Sequence, residues 1–96
     1  MKEIKFKREI IKIVEIYLSE AKIYLFGSYA RGDNQWGSDI DIALDVGRKI
    51  TLKELRDIQR LISALPMAQK VDVVCMHRIP EKMKENILRE GIVWKS

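Results

Sequence analysis

Gly27-Ser28, followed after ten residues by Asp39-Ile40-Asp41, is the spacing in this chain most able to do chemistry. The stretch reads GSYARGDNQWGSDIDIAL, a small-residue turn just upstream of two carboxylates at i and i+2. Ile40, Ile42 and Leu44 alternate with Asp39, Asp41 and Ala43, which is the period of a strand. Residues two apart on a strand share a face, with Cα atoms roughly 6–7 Å apart. At that separation and an effective dielectric of about 20, two carboxylates repel by about 3 kcal/mol. A bound cation offsets such a penalty. Mg²⁺ is the natural one, because it favours a few carboxylates plus nucleotide phosphates over an all-protein cage.

Asp72 lies inside a second apolar run, KVDVVCM. A carboxylate among valines needs a partner or belongs to a polar site. If the strands carrying Asp41 and Asp72 are neighbours, the three acids cluster, and two Mg²⁺ ions could bind there. The competing reading pairs Asp72 with a nearby lysine such as Lys70. Gly27 allows close backbone approach, Ser28 supplies a hydroxyl, and the free N–H groups of the following turn can hold phosphate oxygens. A Gly-Ser pair alone carries no signal; its weight comes from the fixed distance to the acids.

The elements that must position these residues follow from periodicity. Residues 3–21 read as an amphipathic helix with Ile10, Ile13, Val14, Tyr17, Leu18 and Ala21 on one stripe and Phe6 a turn earlier. Residues 22–26 make a first strand, 29–31 a helical turn closed by Gly32, 33–38 a polar loop and 39–45 the second strand. Thr51 and Glu54 have capping-box spacing and open a helix to about Leu65, stopped by Pro66. Its buried stripe is Leu55, Ile58, Ile62 and Leu65. Residues 70–76 form a third strand, Pro80 suits the first position of a last helix ended by Gly91, and 92–94 add a short edge strand. Strands alternating with helices predict a compact α/β sheet domain spanning 1–96.

Composition narrows the class. Ninety-six residues suit one core, and the net charge of +4 suits an anionic partner without choosing one. The basic residues are scattered without aromatic interleaving, which argues against dedicated nucleic-acid binding. No apolar run is long enough for a membrane span and no signal peptide is visible, so a cytoplasmic setting is expected. Cys75, the single cysteine, reads as a small buried hydrophobe. His77 reads as a surface loop residue, Asp33 and Asp45 as solvated loop acids, and Trp94 as core or subunit interface. Trp36 could stack on a base, but reads rather as part of a lid or a partner contact.

GSYARGDNQWGSDIDIAL resembles the signature of the polymerase-beta-like nucleotidyltransferases in their minimal form, MNT. Gly27, Ser28, Arg31, Gly32, Ser38, Asp39 and Asp41 match the pattern, and Asp72 matches its third carboxylate. The resemblance covers about residues 22–76. It implies a small mixed sheet with helices packed against it, two Mg²⁺ ions held by Asp39, Asp41 and Asp72, and transfer of a nucleoside monophosphate from a triphosphate. Gly27 and Ser28 would hold the β- and γ-phosphates, with Arg31 and Ser38 also on the nucleotide. Chains of this length resemble the antitoxin half of MNT–HEPN pairs, which implies ATP as substrate and a tyrosine of a HEPN ribonuclease toxin as acceptor. Two alternatives stand beside this reading. One is neutralisation of the partner by binding alone. The other is modification of a small aminoglycoside-type acceptor, for which no segment remains to build an enclosing pocket. Self-association is left open.

Overall fold

Eight elements alternate along the chain in the computed structural model, which describes residues 4–35 and 37–96. They are α1 (Lys7–Tyr17), β1 (Lys22–Phe26), α2 (Ser28–Arg31), β2 (Ile40–Asp45), α3 (Leu52–Ser63), β3 (Val71–Cys75), α4 (Glu81–Glu90) and β4 (Ile92–Lys95). The four strands form one mixed sheet in the order β3-β2-β1-β4. β1 is antiparallel to both β2 and β4, while β2 and β3 run parallel, joined through α3.

Alternation along the strands divides the sheet into two unlike faces. Ile23 and Leu25 of β1, Ile40, Ile42 and Leu44 of β2, and Val71 and Cys75 of β3 are buried in the main core. Ile10 and Val14 of α1 and Ile58 and Ile62 of α3 pack there too. Each such aliphatic side chain contributes about 1.5–3 kcal/mol by leaving water. The opposite face carries Tyr24, Phe26, Ala43 and Val74, which pack with Met76, Ile79, Met83 and Ile87 in a smaller cluster beneath α4. Asp41 and Asp72 share that face by strand period but are left out of the cluster. One face is therefore covered, and the other is covered only in part.

Local signals explain most boundaries. The capping box opens α3: Glu54 N–H donates to the Thr51 hydroxyl at 3.1 Å, and Thr51 N–H donates to the Glu54 carboxylate at 3.2 Å. Within α3, Ile58 and Ile62 are fully buried and Leu55 partly so; the helix ends at Ser63, and Leu65, just beyond it, is also partly buried. α4 begins at Glu81, one residue beyond the proline expected to start it.

α1 is shorter than the periodicity of residues 3–21 predicts. It ends at Tyr17, and Leu18 leaves helical geometry at φ −139°. Leu18 and Ala21 are nonetheless buried, reached through a turn in which Ala21 N–H donates to the Leu18 carbonyl. The apolar spacing outlasts the helix because the turn into β1 buries the same residues. Tyr17, expected on the buried stripe, faces outward.

The outer edge of β3 is closed by a side chain. The Gln59 amide of α3 donates to the Val71 carbonyl and accepts the Val73 N–H at 3.0 Å, as a neighbouring strand would. Cys75 is buried, as expected, with the Ile50 N–H 3.5 Å from its sulfur. Trp94 packs against the main core, with the Lys7 ammonium 5.7 Å from its ring centroid. No helix among the described residues is long and apolar enough to cross a membrane.

Candidate active site

Strand register brings two of the acids together at one end of the partly covered face. Asp41 and Asp72 are direct partners across the parallel β2–β3 ladder, where adjacent strands lie about 4.8 Å apart. Asp39 precedes β2 by one residue and is exposed. Phe26 is the partner of Asp41 across the β1–β2 ladder, so the turn that follows β1 arrives beside the acids.

That turn depends on its glycine. Gly27 has φ 76° and ψ −156°, a combination essentially confined to glycine. A Cβ at this position would collide with Oδ2 of Asp41. The absent side chain thus makes the space in which the carboxylate sits. The Gly27 carbonyl accepts the N–H groups of Ala30 and Arg31, each at 3.1 Å. Ser28 opens α2, and Gly32 closes it in left-handed conformation.

Electrostatics single out Asp41. Burial first, then the charges of Asp72 and Asp39, hold its carboxyl above its ordinary value of 3.8, with Arg31 pulling the other way. Arg31 itself donates to Asp33 at 3.2 Å, both side chains being largely exposed. Asp33 is therefore an exposed loop acid, as expected, though an ion-paired one. The Ser38 hydroxyl accepts the Gln35 N–H at 2.8 Å, while Ser38 N–H donates to the Gln35 carbonyl at 3.0 Å. In this arrangement Ser38 closes the loop that leads into Asp39. Trp36 lies outside the described residues.

Both readings of Asp72 meet in one geometry. It stands beside Asp41, and its Oδ1 also lies 3.5 Å from the Lys70 ammonium. Among the described residues no three acidic, histidine or cysteine side chains converge as a ready-made cage. The donor set still fits a divalent cation. Adjacent, partly exposed carboxylates, one of them seated in a space only glycine allows, suit Mg²⁺, which keeps waters and takes further oxygens from a phosphate substrate.

Asp45 departs from its expected place as a solvated loop acid. It ends β2 and is partly buried, accepting the Gly47 N–H at 2.8 Å and lying 3.2 Å from His77 Nε2. Burial alone would raise its carboxyl. The Gly47 bond, the His77 bond and charge, and Lys22 outweigh that, so it sits below its ordinary value. His77 is likewise partly buried. The partnership spans 32 residues, and no local spacing announces it.

A cleft of about 590 Å³ is lined by residues including Phe6, Tyr29, Gln35, Ile40, Pro66 and Met67, and its lining includes none of the three acids. Asp39 is exposed, and Asp41 and Asp72 are partly so.

A partly exposed acid pair flanked by a glycine turn suits an enzyme that handles nucleotides, and comparison with known proteins agrees. The chain belongs to the polymerase beta nucleotidyltransferase family, whose profile matches residues 8–96. A protein of Methanocaldococcus jannaschii, provisionally named a protein adenylyltransferase, is 35% identical over 85 residues, covering 84% of this chain and 88% of its own. Among solved structures, a chain of a toxin–antitoxin pair crystallised with AMP-PNP superposes with a TM-score of 0.77 at 29% identity, over 92% of this chain and 71% of that one. A second match is to a chain from the complex of tri-AMPylated Shewanella oneidensis HEPN toxin with MNT antitoxin. There the TM-score is 0.69 at 27% identity, over 92% of this chain and 67% of that one. The fold is that of a minimal nucleotidyltransferase, a mixed sheet with helices packed on it, as the resemblance implied.

Proposed function

We propose that this chain transfers AMP from ATP to a tyrosine hydroxyl of a HEPN-type ribonuclease and thereby acts as its antitoxin. The observation that carries the proposal is the register of Asp41 with Asp72 on the partly covered face, with Gly27 making room for the Asp41 carboxylate. The structural likeness to toxin–antitoxin pairs, one with AMP-PNP and one with an AMPylated toxin, supports the substrate and the partner.

In this reading Asp39 and Asp41 hold two Mg²⁺ ions and Asp72 completes the second position. When bound, the ions supply charge neutralisation at the attacking and leaving oxygens. Gly27 and Ser28 contact the β- and γ-phosphates through the opening turn of α2. Arg31 exchanges Asp33 for the triphosphate, and Ser38 keeps the loop before Asp39 in place beside the nucleotide. The tyrosine oxygen bonds to the α-phosphorus as the bond from that phosphorus to the bridging oxygen breaks, and pyrophosphate leaves. The hydroxyl proton passes to the Asp72 carboxylate. The sequence offers no side-chain nucleophile with an attendant base near these acids, so direct in-line transfer is the simplest course.

An acceptor presented by a docked protein suits acids that are exposed or partly so. Docking would supply the orientation, and with it much of the rate enhancement. A small acceptor is normally buried in a pocket, and the cleft near Tyr29 is not lined by the acids. ATP and a ribonuclease acceptor would place the reaction in the cytoplasm. Incubation with labelled ATP, Mg²⁺ and the protein encoded by the neighbouring gene, read by intact mass, tests the proposal. One or more added AMP units on a tyrosine are expected. Tight association without added mass would establish neutralisation by binding alone, and rapid labelling of a free aminoglycoside would reject both.

A further inference from the structure

Lys70 stands one position before β3, and its carbonyl accepts the Ile40 N–H at 2.8 Å. The ladder pairs Ile40 with Val71 and Asp41 with Asp72, so Lys70 continues it beside Asp39. Strand alternation then puts Asp39, Asp41, Lys70 and Asp72 on one face, as a two-by-two array of three anions and one cation. The ammonium lies 3.5 Å from Asp72 Oδ1, with side-chain exposures of 70% for Lys70 and 40% for Asp72.

From this juxtaposition we infer that Lys70 is a positioning residue for the cation site. It holds the Asp72 carboxylate while no divalent ion is bound, and it must release that carboxylate for the site to load. The inference rests on the metal-site reading given above. An Asp72 oxygen partnered by an ammonium is a weaker donor to a second cation, and a divalent ion arriving beside Lys70 meets like-charge repulsion. Both effects drive the ammonium off. Its release costs little, because an exposed lysine on a flexible stem regains water and rotamer freedom, and exposed ion pairs are weak. An arginine fork would grip the same carboxylate through two bonds and resist displacement. Lys70 therefore offsets the repulsion among the acids in the cation-free protein and sets the ion concentration at which they change partner.

The test uses Mn²⁺ alone, without nucleotide, followed by loss of the free-ion electron paramagnetic resonance signal. Lys70→Met keeps the stem and removes the charge. It should bind Mn²⁺ about two- to five-fold more tightly than the wild type, the scale of an exposed ion pair. In EDTA the same variant should melt below the wild type, and the gap should close at saturating Mn²⁺. Lys70→Arg should not bind more tightly than the wild type. Equal or weaker Mn²⁺ binding by Lys70→Met, with the wild type binding normally, overturns the role given to Lys70 and leaves the metal site standing. A wild type that binds no Mn²⁺ rejects the metal site itself, and the inference with it. A melting difference that is the same with and without Mn²⁺ marks Lys70 as an ordinary surface pair and also overturns it.

Discussion

Gly27→Ala should separate two costs that the wild-type turn avoids. The first is backbone strain: φ 76° with ψ −156° costs a residue with a Cβ about 1–3 kcal/mol. The second is a collision, since the new methyl would meet Oδ2 of Asp41 and approach its Cγ to 3.3 Å. Crowding of that kind costs about 1–3 kcal/mol where neighbours cannot move. Together these give a loss of about 2–6 kcal/mol, against a total of about 5–15 kcal/mol for an ordinary domain. Most molecules should stay folded at room temperature. Asp41→Ala relieves the collision but not the strain, so the double variant should lose less than the sum of the singles. The expected coupling is about 1–3 kcal/mol. Urea denaturation of all four proteins, with unchanged m values, measures it directly. Additivity within about 0.5 kcal/mol, or a Gly27→Ala loss below about 1 kcal/mol, would refute the claim that the missing side chain makes room for Asp41. A transfer assay adds a second reading: Gly27→Ala should lose activity out of proportion to its folded fraction.

Asp41→Asn should abolish transfer while stabilising the cation-free protein by about 1 kcal/mol at pH 7, the pairwise repulsion discounted for solvent on one side. Because the folded-state value of Asp41 is raised, its contribution is fully present below the unfolded value and lost as pH rises through the folded one. The advantage of the Asn variant should therefore vanish in acid, and melts at pH 3 and 7 without divalent ions decide it. Asp45 has the opposite sign: its value is lowered, so its stabilisation is present above the unfolded value of 3.8 and lost as pH falls through the folded one. His77→Ala should raise the Asp45 value and move acid unfolding to higher pH; an unchanged carboxyl titration by NMR would count against the pairing. Gln59→Leu should cost about 1 kcal/mol by leaving the Val71 carbonyl and Val73 N–H without their amide. It should also open the β3 edge to pairing with another strand, and concentration-independent sedimentation of the variant would contradict that.

Much of this architecture was legible because two short-range rules held. Period two placed Asp41 opposite the buried Ile40 and Ile42, and the Thr51–Glu54 box marked the start of α3 to within a residue. Asp72 was legible as a charge in an apolar strand, although its register with Asp41 is a property of the assembled sheet. Lys70 was visible only as one possible partner for Asp72. Helical periodicity misled at Tyr17, where a turn takes over burial of Leu18 and Ala21. Gln59 and the Asp45–His77 pair gave no local signal. A glutamine on a helix looks the same whether it meets water or closes a sheet, and residues 32 apart become neighbours only through topology.

The alternation along β2 also guards the assembly of the sheet. Ile40, Ile42 and Leu44 are buried in the main core while Asp41 and Asp45 face the other way. A slip of one residue against β1 would drive both aspartates into that core and turn three large aliphatic side chains to the partly covered face. Unpaired carboxylates in hydrocarbon are far costlier than a lost contact, so the misaligned sheet is forbidden where an all-apolar strand would merely be loose. The acids thus proofread the folding of the strand that displays them, and neutralising them should relax that fidelity even where it leaves the native state more stable.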